Sequence, residues 1–483
     1  MTSACRLASV ATSVGLALLS FGCGDRTPVS PVDAATGLDA RRASTGGAQR
    51  AGGHIILLKE GVTADLTAAV VGAGGKVTHS YREIGVLSAT GLSAAAVARL
   101  AARPEVQGVS PNLRVQVVPP SIKPRLFRKF TGQRRVRPAT DQSGAFFFDQ
   151  FQWNLRVTQA NDAWLTTNQG AGALVCVLDS GIDPNHIDLM GRVDASRSAS
   201  FVAGETALTD FFFHGTFVAG IITTNGIGVG SVAPDATLCS AKVLDRTGSG
   251  TIDAAIAALI YVGTIGADVA NMSFGAHVDK NDPGVAAAIT ATQRALNFAS
   301  QHGVLLVAAA GNDAVNTNTD PKNLIFIPAE LKHVISVGAT GPVGQQDFDR
   351  IASYSNLGRS GVDIFAPGGD FVEGSVVEDL IISPCSPTTE LFACSDGISY
   401  LIGDGTSFAA PHVSGEGAVI EAQFPGNQKD EFLTNCILKS ADAVTGRKID
   451  PLYDRGRINV LHGAACAPGK KQGGAALVAG SLR

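Results

Sequence analysis

The chain predicts an α/β fold, a mostly parallel sheet with helices on both faces, preceded by a small α+β unit. Three observations carry that expectation. Short apolar runs at 173–179, 237–244, 268–273, 304–310 and 334–339 alternate with longer helical stretches, the pattern of parallel strands buried on both sides. Ahead of them, 52–117 reads as strand, helix, two strands, helix and strand, the order of a ferredoxin-like unit. The composition, 45% hydrophobic and 17% charged with 56 glycines in 483 residues, suits a large core with close helix packing and lies far from that of a disordered chain.

At the amino end, Arg6 and the apolar run 8–21 (ASVATSVGLALLSF) form an export signal, 1–23, shorter than a membrane span. Leu19-Ser20-Phe21-Gly22-Cys23 is similar to a bacterial lipoprotein box, although its leucine lies one position further upstream than usual. Cys23 is therefore a candidate for a lipid anchor, with plain secretion as the alternative. Residues 24–51, rich in Pro, Ser, Thr and Ala, read as a flexible tether. Within 52–117 the expected elements are a strand at 54–58, a helix at 63–72, strands at 76–81 and 84–90, a helix at 93–102 and a strand at 105–117. The linker 118–148 is basic, with Lys123, Arg125, Arg128, Lys129, Arg134, Arg135 and Arg137, and such a solvated charge run is easily cut. The main domain occupies 149–466, with an amphipathic helix at 428–441 and a closing strand at 455–461. The Gly- and Ala-rich 467–483 is a loose tail. A net charge of −4 argues against nucleic acid as a partner, and a monomer is expected.

Chemistry concentrates in three motifs. DGTSFAAPHVSG (404–415) places Ser407 after a Gly-Thr pair and at the head of a small-residue helix, where a tight turn can expose a hydroxyl that still needs a base. ALVCVLDSGID (173–183) ends an apolar strand at Asp179, and HGTFVAGII (214–222) starts a helix at His214. An acid at a strand end, a base at a helix start and a serine nucleophile, in the order Asp, His, Ser, match one of the chain orders in which such triads occur.

With VAAAGN (307–312) added, these motifs resemble those of the subtilisin-family serine peptidases, the subtilases, over roughly 150–462. The resemblance implies a subtilisin-like fold and a serine endopeptidase that cleaves proteins or peptides, with Asp179, His214 and Ser407 as its triad and Asn312 as the side-chain donor to the oxyanion. It makes 52–117 a propeptide that assists folding, then blocks the cleft as an intramolecular inhibitor, with self-cleavage somewhere in 117–150. Phe217 and Phe408 depart from the family's usual histidine and methionine without removing a catalytic group.

By the same resemblance, Gly248 and Gly250 form one wall of the substrate cleft and Ser273, Phe274 and Gly275 the other, so that substrate adds as a strand between them. Ala309 and Gly311 line the primary pocket, and Phe326, standing where a small residue is common, makes it shallow. No cofactor is needed for catalysis. A structural calcium is expected, held by Asp188 and Asn225 side chains and by the carbonyls of Ile227 and Val229, with Asp149 completing the set; the loop around Asn225 is about two residues shorter than usual. Six cysteines lie outside the export signal. Cys385 with Cys394, in a loop inserted relative to the family, and Cys436 with Cys466 are expected to pair in an exported protein; for Cys176 and Cys239 a bridge is open, but two buried thiols are favoured. The protein is thus read as secreted, or tethered to a bacterial envelope. The alternative is a catalytically silent member of the fold serving as a scaffold, which the intact Asp179, His214, Asn312 and Ser407 oppose.

Overall fold

A computed structural model describes residues 49–118, 124–129, 141–319, 323–425, 430–443 and 456–466. The export signal with Cys23, nearly all of the tether, most of the linker 118–148 and the tail 467–483 lie outside the described residues.

The amino-terminal unit consists of β1 (Arg50–Leu58), α1 (Thr67–Gly72), β2 (Lys76–Tyr81), β3 (Val86–Thr90), α2 (Ala94–Ala101) and β4 (Val106–Val117). Its antiparallel strands lie in the order 4-1-3-2, the ferredoxin-like plan. Successive side chains of β1 point to opposite faces and both faces are covered, so Ile55 to Leu58 are all buried. Ile56 and Leu58 pack with Val70, Leu87 and Leu100 beneath the unit's own helices, while Ile55 and Leu57 join the core of the main domain.

The chain continues through β5 (Arg125–Lys129), three short helical segments within 148–163, β6 (Leu174–Asp179), β7 (Ala199–Ser200) and α3 (His214–Ile222). Next come β8 (Thr237–Lys242), β9 (Ser249–Thr251), α4 (Ile252–Thr264), β10 (Val269–Met272), β11 (Phe274–Asp279) and α5 (Ala286–Gln301). After β12 (Leu305–Ala309), β13 (Leu324–Ile327), β14 (Val334–Thr340) and β15 (Ile364–Pro367), the hairpin β16 (Ile381–Pro384) and β17 (Ser399–Gly403) leads into α6 (Thr406–Gln423), α7 (Asp430–Ser440) and α8 (Val460–Ala464). The central sheet runs 15-14-12-10-6-8-7 and every pairing in it is parallel. Its side chains on β6, β10, β12 and β14 are buried throughout. A parallel sheet of this kind opens its ligand crevice at the strands' carboxyl ends, where Asp179 stands. Helix α6 is buried from Thr406 to Glu421, which its small residues permit.

Two expectations are corrected, and one strand was not foreseen. Cys176 and Cys239 are joined, as are Cys385–Cys394 and Cys436–Cys466; the register of β6 on β8 sets Cys176 directly opposite Cys239, something a run of apolar residues does not reveal. The segment 455–461 forms no closing strand over its described part. Arg457 makes single bridges to Phe365 and Asp442, and Asn459, accepting a hydrogen bond from the His462 N–H at 3.0 Å, starts α8 instead. Strand β15 was not anticipated, since its four residues end in a proline, a residue confined to sheet edges. No described helix is long and apolar enough to cross a membrane.

Candidate active site

Asp179 closes β6 and His214 opens α3, so sheet and helix each deliver one partner. His214 Nδ1 lies 2.9 and 3.0 Å from the two carboxylate oxygens of Asp179, and both residues are buried. A carboxylate can only accept there, so Nδ1 carries the proton and Nε2 is the basic nitrogen. Neither His214 Nε2 nor Ser407 Oγ makes a hydrogen bond to any described group, the other included, so no competing partner holds either atom. Ser407 lies in the first turn of α6 behind Gly405, whose φ of 153° brings the backbone close. A Cβ on Gly405 would stand 3.2 Å from Ser407 Oγ and 3.3 Å from Asn312 Nδ2, so nucleophile and amide flank one small space. Thr406 donates to Asn312 Oδ1 from its N–H at 3.0 Å and its hydroxyl at 2.7 Å, which turns the Nδ2 end toward that space. One such oxyanion donor contributes about 2.7–4 kcal/mol to the transition state, a figure known for a subtilisin. His412 is not a second base: burial lowers it to about 4, its Nδ1 donates to the Phe408 carbonyl at 2.9 Å and Asn154 holds its Nε2 at 2.8 Å.

The two aromatic departures belong together. Phe217 and Phe408 stack with centroids 4.1 Å apart, and the Phe408 ring lies 5.6 Å from that of His214. They form an apolar plate beside the base where the resemblance would place a histidine and a methionine.

Several residues that sequence reasoning missed hold this geometry. Asp210 is fully buried and takes hydrogen bonds from Ser180 Oγ, Phe213 N–H and Thr216 N–H, each at 2.8 Å, while burial pushes its carboxyl up. It caps the helix that carries His214, and its place four residues ahead of that histidine was the available signal. Phe213, immediately before His214, is held at φ 103°, a conformation that costs a bulky residue about 1–3 kcal/mol. Lys242, buried at the end of β8, reaches the Ser180 carbonyl and pairs with Glu205 at 3.1 Å. Across the site, Ser273 Oγ donates to the Ser407 carbonyl at 2.8 Å and receives Asn271 Nδ2 at 2.9 Å.

The two expected cleft walls face each other, and the chain's own β4 lies between them. Arg114, Val115 and Gln116 pair with Thr251, Gly250 and Ser249, while Val117 and Gln116 pair with Phe274 and Gly275. Val117 N–H donates to the Gly248 carbonyl at 2.9 Å. Continuing the register, Val118 comes level with Ser273, and so with Ser407. Ala309 is buried in β12 and Gly311 follows it with φ 105°. The Phe326 ring lies across Gly275, where a Cβ would overlap it, and 4.9 Å from the His277 ring; His277 is in turn bonded to Asp313 at 2.8 Å.

The residues expected to bind calcium do not fit that ion. Asp188 accepts Ile227 N–H at 2.7 Å, Gly228 N–H at 3.0 Å, Val229 N–H at 3.1 Å and the Tyr400 hydroxyl at 2.7 Å. Asn225 Oδ1 accepts Arg192 Nε at 2.9 Å, so a guanidinium stands where a cation's ligand would point. The Ile227 and Val229 carbonyls accept from Phe146 N–H and the Thr224 hydroxyl, and Asp149 is exposed, its charge acting on Arg156. Among the described residues no cluster of three or more His, Cys, Asp or Glu could hold a metal.

A family model described as the subtilase family matches residues 170–457, more than half of the chain. The thermophilic serine proteinase of Bacillus sp. (strain AK1) is 32% identical over 316 residues, 65% of this chain and 67% of that protein. Thermitase of Thermoactinomyces vulgaris is 30% identical over 316 residues, 65% of this chain and 95% of that protein. Among solved structures, fervidolysin from Fervidobacterium pennivorans, a keratinolytic enzyme related to subtilisin, is similar with a TM-score of 0.67 at 24% identity. The match covers 89% of this chain and 63% of fervidolysin, and at that identity it speaks for the fold alone.

Because the donors around Asp188 are consumed within the protein, chelation is expected to be thermally silent. Melting the Ser407→Ala protein, which cannot digest itself, with excess EDTA and with excess calcium should give the same Tm within about 1 °C. Arg192→Ala should lower it by several degrees, as loss of a partly buried charge contact does. A large calcium-dependent rise in Tm would restore the metal site.

Proposed function

The chain belongs to the subtilase family of serine peptidases, and from that premise we propose that it is an exported endopeptidase made as a self-processing zymogen. Ser407 attacks a peptide carbonyl, His214 takes its proton and returns it to the leaving amine, and Asp179 fixes the His214 tautomer and stabilises its charged form. Asn312 receives the oxyanion. Residues 52–117 are the inhibitory propeptide domain. The observation that carries this reading is the position of 114–117, paired as an added strand with both cleft walls and ending opposite Phe274, next to Ser273, whose hydroxyl bonds the Ser407 carbonyl. Export rests on Arg6 and the apolar run 8–21, with Cys23 the anchor point if the protein is tethered.

Val118 is followed in sequence by Pro119 and Pro120. A bond to proline has no N–H, a locked φ and a ring crowding the nitrogen that His214 must protonate, so the seated segment is a poor substrate. The maturation cut is accordingly placed beyond Pro120, within 121–150.

Intact mass measured on the protein expressed from residue 24, beside its Ser407→Ala variant, tests the reading. Only the wild type should lose the propeptide, and its product should begin within 121–150. If both stay full length and neither digests a denatured protein, the silent-scaffold alternative holds.

The ring of Phe326 across Gly275 makes the primary pocket shallow. Peptides with Ala or Val before the cut bond should be cleaved with higher kcat/KM than the Phe peptide, and Phe326→Ala should reverse the preference by about tenfold or more. Faster cleavage of the Phe peptide by the wild type would sink this assignment.

Docking of the propeptide should depend on pH through His79. Its Nδ1 meets Asp253 of α4 at 2.8 Å, and Tyr81, at 3.0 Å, and Ser88 bond the same carboxylate. The hydrogen bond to Asp253 raises the His79 pKa above 6.5. Protonation therefore strengthens docking, fully below pH 6.5, and this contribution fades as pH rises through the docked pKa. With the ring 45% exposed, solvent screening limits the effect to a few fold. Residual inhibition in freshly cut wild-type enzyme should weaken from pH 6 to 8 and should lose that slope in His79→Gln; an unchanged slope in the variant would refute the role.

A further inference from the structure

The disulfide-closed loop between β16 and β17 serves no purpose in the chemistry as described, yet it is built onto the turn that presents the base. Ser386 Oγ donates to the Asp210 carbonyl at 2.7 Å, and the Asp210 N–H donates to Thr388 Oγ1 at 3.1 Å. Glu390 N–H donates to the Phe211 carbonyl at 2.8 Å, and the Thr389 hydroxyl lies 3.3 Å from the carbonyls of both Phe211 and Phe212. The Phe392 ring meets Phe213 edge to face at 5.3 Å. The Asp210 N–H and the carbonyls of 210–212 thus find their partners in this loop, and the strained Phe213 is held from outside the segment. Cys385 and Cys394, both buried, close the loop. Its first strand also touches α3, where Ser383 Oγ donates to the Phe217 carbonyl at 2.6 Å.

The other end of the same hairpin is continuous with the nucleophile. Strand β17 runs to Gly403, and Asp404 and Gly405 alone separate it from the helix bearing Ser407. One covalently closed element therefore grips the turn before His214 and delivers Ser407. Resting on the peptidase reading above, we infer that loop 385–394 is a positioning device for the general base, with Ser386 and Thr389 as its positioning residues and the disulfide as its closure. It would fix the His214 ring against Ser407 at the separation proton transfer needs, where a misplacement of about 1 Å can cost on the order of 100-fold in rate. Reactants touch none of these residues; they act through Asp210, Phe213 and His214.

The test compares self-matured wild type with Cys385→Ala/Cys394→Ala, Ser386→Ala, Thr389→Val and the conservative Ser386→Thr. Active sites are counted by stoichiometric labelling with a fluorophosphonate, and kcat, KM and the pH profile of kcat/KM are measured per labelled site on a peptide amide. The expected result is a fall in kcat of about tenfold or more with KM held within about twofold. The acidic limb of the profile should shift, the labelling rate should fall at full final stoichiometry, and Ser386→Thr should recover the wild-type values. If a variant does not mature, the rate of its single self-cut, followed by intact mass, replaces kcat. Unchanged kcat and profile in the double cysteine and Ser386→Ala variants would overturn the inference. So would a loss of labelled sites with wild-type kcat in those that remain, since that is the mark of a loop that only supports folding. A wild type that neither labels nor cleaves would instead overturn the peptidase reading, and the positioning role with it.

Discussion

A carboxylate removed from water must have its lone pairs met by donors, and Asp179 meets that demand with the His214 ring and the Ser180 N–H at 2.7 Å. This buried pair sets the requirements for its surroundings. The strand end must arrive beside a helix start, which the parallel sheet provides at its carboxyl edge. The helix start must come close, and Gly215 allows it, since a Cβ there would overlap the Gly181 carbonyl. The first N–H groups of α3, like those of any helix, have no acceptor within it, and Asp210 takes those of Phe213 and Thr216.

The nucleophile side is organised differently. Ser407 is held by the rigidity of α6, buried along nearly its whole length against β10, β12 and β14. Polar side chains at its head are chained together: Ser414 to Asn271, Asn271 to Ser273, Ser273 to the Ser407 carbonyl. Rotation of the helix about its axis would break the two bonds that tie it to Asn271 and Ser273. Base and nucleophile thus lie on two helices that pack on each other through the Phe217–Phe408 stack. The hairpin β16–β17 touches the turn before α3 and leads directly into α6.

What the sequence made legible follows from how local each signal was. Asp179, His214, Asn312 and Ser407 stand at strand ends and helix starts whose patterns are written in ten residues or fewer, and all four converge on one site. The fold of the amino-terminal unit was readable from its order of elements, because strand and helix periods alternate cleanly across 52–117. Asp210, Thr406 and Lys242 were missed because their roles exist only once distant segments meet; Ser386 lies 176 positions from the residue it bonds. The calcium ligands failed for a related reason. Asp188 and Asn225 have suitable chemistry, but the backbone of 227–229 turns its N–H groups, not its carbonyls, toward Asp188, and Arg192 supplies the positive charge. Residue identity gave the donor set and could not give its direction. The Cys176–Cys239 bridge likewise depends on register, which a run of small apolar residues leaves open.

On the zymogen reading proposed above, residues 114–117 occupy the cleft between its two walls, although a strand of four residues is a weak ligand when free. Covalent attachment accounts for this. While the precursor is intact, binding is intramolecular, with an effective concentration that for short links is of order millimolar, so a modest affinity suffices. The proposed cut beyond Pro120 would remove that advantage. Occupancy then rests on contacts outside the cleft: the Asp253 cluster with His79, Tyr81 and Ser88, and Arg294 of α5, which donates to the Leu58 and Ile84 carbonyls at 2.9 and 3.1 Å. These contacts lie on the helices flanking the main sheet, away from the triad, and can weaken without disturbing Asp179, His214 or Ser407. The fold thereby separates the strength of the lock from the geometry of the catalyst. Release can be tuned at α4 and α5 while the site itself stays rigid.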